Sequence, residues 1–415
     1  MMSKLVPTLR FKEFSGDWEE IELGELLEFK NGINANKEQY GSGYKFINVL
    51  DVLNNEFILH DKIIGSVNID ESVRKKNLVE YGDILFQRSS ETQDEVGTAS
   101  VYLDKHHTAT FGGFVIRGKK IKNYEPIFLN KLLKTKLSRN QITLKSAGST
   151  RYNVGQGILS SVVLPFPSSS EQQKIAKTLT SLDNLIEAQT KKIETLKKHK
   201  KGLMQKLFPL DGEKKPKVRF DEFSGDWEDK SLDNVGNIVT GTTPSTKKDE
   251  YYRNGIYPWV TPTDITEKKD ISNSKKLLSQ DGLNHSRFIP KNSLLVTCIA
   301  SIGKNTILRQ DGSCNQQINA ISVYKDYCVD FLYYLIEEKN YILLANAGQG
   351  GMAMLNKSDF SKLKFYFPKL KEQQKIANTL SSLDNLIEAQ TKKVETLKQH
   401  KKGLMQKLFV NKEEN

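Results

Sequence analysis

Cysteine is scarce in this chain. Its 415 residues include three, Cys298, Cys314 and Cys328, all in the second half. An odd number without a CxxC pair argues against a disulfide framework and against a zinc site. The three read as free, buried thiols of a reducing compartment. Long apolar runs are missing as well, so no transmembrane helix is expected. The opening MMSKLVPTLRFKEF lacks the apolar core and cleavage site of a signal peptide. A cytoplasmic protein with no membrane partner is the expectation. The six histidines are scattered, and His106-His107 has no ligand cluster beside it in the sequence. No metal site is expected.

Catalytic motifs are also lacking. SIGKN (Ser301–Asn305) has neither the upstream glycine nor the Ser/Thr of a phosphate-binding P-loop. AGQGG (Ala347–Gly351) follows no strand and opens no helix, so it reads as a loop and not as a dinucleotide cradle. HExxH and GxSxG are absent, as is the Asn/Asp-Pro-Pro-aromatic run with which base-modifying methyltransferases hold a flipped adenine. The expectation is a chain with no catalytic residues and no cofactor of its own.

Positive charge is what the sequence does hold. The formal net charge is +12 and the isoelectric point about 9.2, which favours a polyanionic partner. Much of that charge lies in two segments, Glu171–Phe208 and Glu372–Phe409, which differ at four of 38 positions. A second repeat precedes each: RFKEFSGDWE (Arg10–Glu19) and RFDEFSGDWE (Arg219–Glu228). The long period and two copies exclude a solenoid and indicate a duplicated two-part module.

Each repeated segment reads as a helix with a heptad seam. The apolar positions are Ile175, Leu179, Leu182, Ile186, Ile193, Leu196, Leu203 and Leu207, then Ile376, Leu380, Leu383, Ile387, Val394, Leu397, Leu404 and Leu408. Gln189 and Lys200, and Gln390 and Lys401, fill the gaps. At 1.5 Å per residue each helix would be about 57 Å long. A stripe so long and narrow needs a partner helix, and the other copy is the obvious one; packing of each helix on its own domain is the alternative. Connectivity favours antiparallel pairing, with the halves related by a pseudo-two-fold axis. PLDGEKKPKVRF (Pro209–Phe220) supplies the connecting turn.

Before each helix lie short apolar runs bounded by turn residues, which read as strands. In the first half these include Lys45–Val52, Asp83–Gln87, Ala99–Leu103, Phe114–Arg117 and Ser161–Phe166. Helical patterns appear at Pro126–Leu137 and Val329–Asn340. The expected fold class is α+β: two strand-rich domains separated by two long helices that form an antiparallel coiled coil. The expected divisions are 1–170, helix 171–208, linker 209–219, 220–371 and helix 372–409.

Loop residues of both domains can reach base edges or phosphates. The first offers Gln87, Arg88, Ser89, Ser90, Lys145, Ser149, Thr150, Arg151, Tyr152 and Asn153. The second offers Thr242, Thr243, Ser245, Lys247, Lys248, Lys304, Asn305, Asn315, Gln316, Gln317 and Gln349.

Together, EFSGDWE opening each half, GTTPS (Gly241–Ser245), YPWVTPTDI (Tyr257–Ile265), FP-x-x-x-EQQKIA from Phe166 and Phe367, and LDNLIEAQTKK in each helix resemble the specificity subunit of a Type I restriction-modification enzyme. The resemblance spans the whole chain. The first half departs from it at the place of GTTPS, reading NGINANKEQYGSGYKFINV. It implies two target recognition domains, each reading one half of a bipartite, asymmetric site on double-stranded DNA. It implies that the helices set the gap and dock two modification (methyltransferase) subunits, which restriction subunits (ATP-dependent translocase/endonuclease) then join. S-adenosylmethionine, ATP and Mg²⁺ would belong to those partners. The competing readings are an enzyme with an unfamiliar site, an interaction scaffold that ignores DNA, and a module of a related bifunctional restriction system.

Overall fold

The structure, a computed structural model, describes residues 5–146, 148, 151–348 and 353–410. The chain forms two compact units, residues 1–189 with 393–415, and residues 190–392. Each unit therefore contains the first part of one long helix and the last part of the other.

In the first unit a four-stranded antiparallel sheet runs in the order Leu27–Asn31, Val115–Lys120, Ile84–Gln87, Ala99–Val101. The strand Ile84–Gln87 is buried on both faces, and its alternation assigns each residue to a core. Ile84 and Phe86 join the cluster built on Phe128, Leu129 and Leu132, whereas Leu85 joins Ile47, Val52 and Phe111. A three-stranded sheet, Ser66–Val67, Tyr40–Ile47, Thr110–Phe111, covers the second face. The second unit repeats the plan. Leu294 and Val296 of Ser293–Thr297 point to the Phe331 cluster, while Leu295 packs with Val260 and Leu308. Its main sheet gains a fifth strand, Asp270–Ile271, paired parallel with Asn305–Leu308.

The run Lys45–Val52 is not one strand. The strand ends at Ile47, and Val49–Asn54 is helical. Asn48 and Asp51 form a capping box, with Asn48 N donating to Asp51 Oδ2 at 2.7 Å, and this local bond redirects the chain. The pattern Pro126–Leu137 likewise splits into Pro126–Leu132 and Lys136–Lys145, where Thr135 caps the second piece.

The long helices are Ser169–Leu207 and Leu370–Lys407. All sixteen seam positions are buried or half-buried. In the first unit Ile175 and Leu179 share a core with Leu408. In the second, Ile376 and Leu380 share one with Leu207. The start of each helix thus meets the end of the other, which is antiparallel pairing. Ion pairs account for the lysines in the seam: Lys401 Nζ lies 2.5 Å from Asp183 Oδ1, and Lys200 Nζ lies 2.8 Å from Asp384 Oδ1.

The repeated glutamines at the helix starts hold each unit's short helix. Gln172 Oε1 accepts from Glu125 N at 3.0 Å, and Gln373 Oε1 accepts from Cys328 N at 2.9 Å. Glu125 and Cys328 are the N-caps of Pro126–Leu132 and Val329–Glu338.

Candidate nucleic-acid interface

In the first unit the structure brings two of the candidate stretches together. The short strands Ser89–Ser90 and Tyr152–Asn153 pair antiparallel, with Asn153 opposite Ser89. Ser89 Oγ donates to Asn153 Oδ1 at 2.5 Å. Arg88 N donates to Phe114 O, and Arg88 Nη1 reaches Gly113 O at 3.2 Å. Gln87 and Ser90 are buried; Gln87 Nε2 donates to Ser89 O, and Ser90 Oγ to Glu95 Oε2. These two are turned inward and shape the loop, with Gln87 Oε1 buried and unpartnered. Arg151 and Asn153 are exposed. Lys145 lies at the end of Lys136–Lys145, and its Nζ donates to Ser161 O at 3.3 Å. Ser149 and Thr150 lie outside the described residues.

In the second unit the GTTPS loop meets Asn315–Gln317. Gly241 N donates to Ile318 O and Thr242 N to Cys314 O. A Cβ on Gly241 would lie 2.2 Å from Cys314 O, so the loop sits this close because the residue is glycine. Thr243 Oγ1 donates to Gln316 Oε1 at 2.6 Å. Asn315 Nδ2 donates to Gln317 Oε1 at 2.9 Å. Gln316 and Thr243 are exposed, as are Ser245, Lys247 and Lys248. Lys248 Nζ donates to Tyr251 OH at 3.0 Å. Lys304 is exposed on a neighbouring turn. Its neighbour Asn305 is buried and donates Nδ2 to Tyr333 O at 2.9 Å, an internal anchor. Gln349 lies outside the described residues.

Two features of the first unit escaped the sequence reading. Gly32 N donates to Val115 O and Ile33 N to Phe111 O, the same pattern as Gly241 and Thr242. The GTTPS position is therefore kept structurally at Gly32–Asn36, although the residues differ, and the shared glycine was the available signal. The second feature is a cleft of about 650 Å³ lined by Lys45, Arg74, His60, His106 and His107 among others. His60 and His107 stack with ring centroids 4.7 Å apart. Burial, and then the His107 imidazole, lower the His60 pKa. His106-His107 does have company, but it comes from a residue distant in sequence.

Among the described residues no group of His, Cys, Asp and Glu side chains could hold a metal ion. No helix among them is long and apolar enough to cross a membrane. Cys298 and Cys314 are free and buried, and burial pushes the Cys298 thiol up to about 11.

The family described as Type I restriction modification DNA specificity domain matches residues 15–198 and again 224–399. The chain is 28% identical to the putative type I restriction enzyme MjaX specificity subunit of Methanocaldococcus jannaschii, over 96% of this chain and 94% of that one. It is 25% identical to the type I restriction enzyme HindI specificity subunit of Haemophilus influenzae, over 85% of this chain and 90% of that one. In fold it is similar to the crystal structure of the Type I restriction-modification system S subunit from M. genitalium. The TM-score is 0.58 at 16% identity, covering 98% of this chain and all of that one.

Proposed function

Because the chain belongs to the Type I restriction modification DNA specificity domain family, we propose that each of its units reads one half of a bipartite, asymmetric site on double-stranded DNA. Sequence specificity within a Type I restriction-modification system is the role its relatives carry by name, in a complex with other subunits. The observation that carries the bipartite reading is the contrast within the repeat. The two helices are nearly identical, yet equivalent loops hold Gly112-Gly113-Phe114 in one unit and Asn315-Gln316-Gln317 in the other. Different base edges require different side chains, whereas identical partner subunits require identical docking surfaces.

Methylation and cleavage are assigned to partner subunits, with S-adenosylmethionine, ATP and Mg²⁺ bound there. The helices carry the partner-facing surface. Leu185 and Leu386, at equivalent positions outside the seam, are 41% and 40% exposed. Their identity in the two units suits two copies of one methyltransferase subunit. Phosphate contacts from the basic surface supply salt-sensitive affinity, and base contacts supply discrimination of about 1–3 kcal/mol per bidentate pair.

Genome-wide mapping of N6-methyladenine in cells co-expressing the chain with its methyltransferase subunit tests this reading. A two-part motif with a fixed gap, one part changing when residues of either unit are exchanged, is the expected result. A second test inserts four residues into both helices, which should alter the gap or abolish recognition. A stable complex that methylates no two-part motif would refute the role.

A further inference from the structure

We propose that the small pocket beside Phe114 receives the 5-methyl edge of a thymine in the major groove of the first half-site. This rests on the DNA-reading role proposed above and extends it to a ligand. The argument begins with register. Arg88 N donates to Phe114 O just as Cys298 N donates to Gln317 O. With the matching Gly32 and Gly241 bonds, this sets Phe114 at the position of Gln317 and Gly113 at that of Gln316. The second unit therefore presents amides where the first presents two glycines and a phenyl ring.

The ring is not a core residue. Phe114 is 63% exposed and Leu50, across the pocket, is 66% exposed. The turn before Phe114 packs closely on Asn34 because residue 113 is glycine: a Cβ there would lie 1.9 Å from Asn34 Oδ1. The pocket holds about 250 Å³ and is lined by Ile33, Leu50, Phe46, Asn34 and Asn48 among others. That volume suits the edge of one base and not an amphipathic helix.

Charge selects the occupant. No carboxylate lines this pocket. The larger cleft along the same strand, Tyr40–Ile47, is lined by Lys45, Arg74 and histidines, with Arg74 paired to Glu71 at 2.8 Å and His107 beside Asp104 at 3.3 Å. An apolar point without a carboxylate, on the strand that carries Lys45, matches the thymine methyl, the apolar group of the major groove, flanked by phosphates. Asn34, exposed and lining the same pocket, adds an amide that can hydrogen-bond an adjacent base edge.

The test uses the full-length chain in complex with its methyltransferase subunit and the duplex identified by methylation mapping. Each thymine of the first half-site is replaced in turn by deoxyuridine, which lacks the methyl. One replacement should weaken binding about four- to tenfold. The same replacement should have no effect on the Phe114→Ala complex, and Phe114→Gln should change the preferred base at that position alone. Sensitivity that persists in Phe114→Ala, or no sensitive thymine, would overturn the pocket assignment while leaving the bipartite role intact. Loss of complex assembly in Phe114→Ala, with discrimination unchanged, would reassign the pocket to a protein contact. Absence of any two-part motif would remove the DNA-reading role and this inference with it.

Discussion

Arg10 grips Glu171 through two parallel hydrogen bonds, Nε to Oε1 and Nη2 to Oε2, both 2.8 Å. Arg219 grips Glu372 through the same atoms at the same distances. Each arginine belongs to the motif that opens a half, and each glutamate starts the long helix that closes it. The glutamates are 1% and 2% exposed. The two stretches repeated most faithfully outside the seam are thus the two faces of one clasp, which closes each unit onto its helix.

Removing one partner of a buried, bidentate pair strands the other charge. Arg10→Ala should destabilise the first unit by about 3–5 kcal/mol. Arg10→Met with Glu171→Leu should cost less than either single change, because no charge is left unpaired. Denaturant midpoints of the wild type, Arg10→Ala, Arg10→Met, Glu171→Leu and the double variant measure this. A cost below about 1 kcal/mol for Arg10→Ala would mean the clasp is not what closes the unit.

The seam was legible in the sequence because a heptad is local, and so was the need for a second helix. The partners of Lys200 and Lys401 were not, since Asp384 and Asp183 lie on the other helix and only antiparallel register pairs them. The exposure of Phe114 is hidden in the sequence for a related reason. Its apolar neighbours Val115 and Ile116 make FVIR read as one strand, but the strand begins at Val115 and the turn leaves Phe114 outside. Asn48 and Asp51 did carry a local signal, the capping spacing, inside an apolar run that outweighed it.

Reciprocal Asp–Lys pairs should select antiparallel over parallel pairing, since a parallel register would oppose Lys200 to Lys401. A double-mutant cycle on Lys200→Ala and Asp384→Asn should give a coupling of about 1 kcal/mol. Additive effects within experimental error would show that the Lys200–Asp384 pair does not set the orientation.

Acid should loosen the second unit through Asp330. Its Oδ1 accepts from Lys269 Nζ at 2.5 Å and Arg309 Nη2 at 2.7 Å. Burial opposes ionisation there, but the Lys269 hydrogen bond and the two cationic charges outweigh it and hold the carboxyl below its usual 3.8. A depressed folded-state pKa contributes stability that is present above the unfolded value and lost as pH falls through the folded value. Stability should therefore decline below about pH 4, and Asp330→Asn should flatten that decline. An unchanged pH profile in the variant would assign the acid sensitivity to other carboxylates.

Gln316 and Lys247 should fail in different ways when truncated. Gln316 is exposed, and Thr243 Oγ1 donates to its Oε1 at 2.6 Å, which fixes the amide plane. An amide so held can accept with its remaining lone pair and donate through Nε2, the pairing that suits adenine. Gln316→Ala should relax the methylation motif at one position of the second half-site, with a loss of about 1–3 kcal/mol in discrimination there. Lys247 is exposed without such a fixed geometry and suits a phosphate. Lys247→Ala should weaken binding evenly across sequences and reduce the salt slope by about one. Competition binding at several salt concentrations separates the two, because a base contact changes the ranking of sequences whereas a phosphate contact changes the overall affinity and its salt slope but not the ranking. A uniform loss in Gln316→Ala would move the reading edge of the second unit away from the Thr243–Gln316 pair.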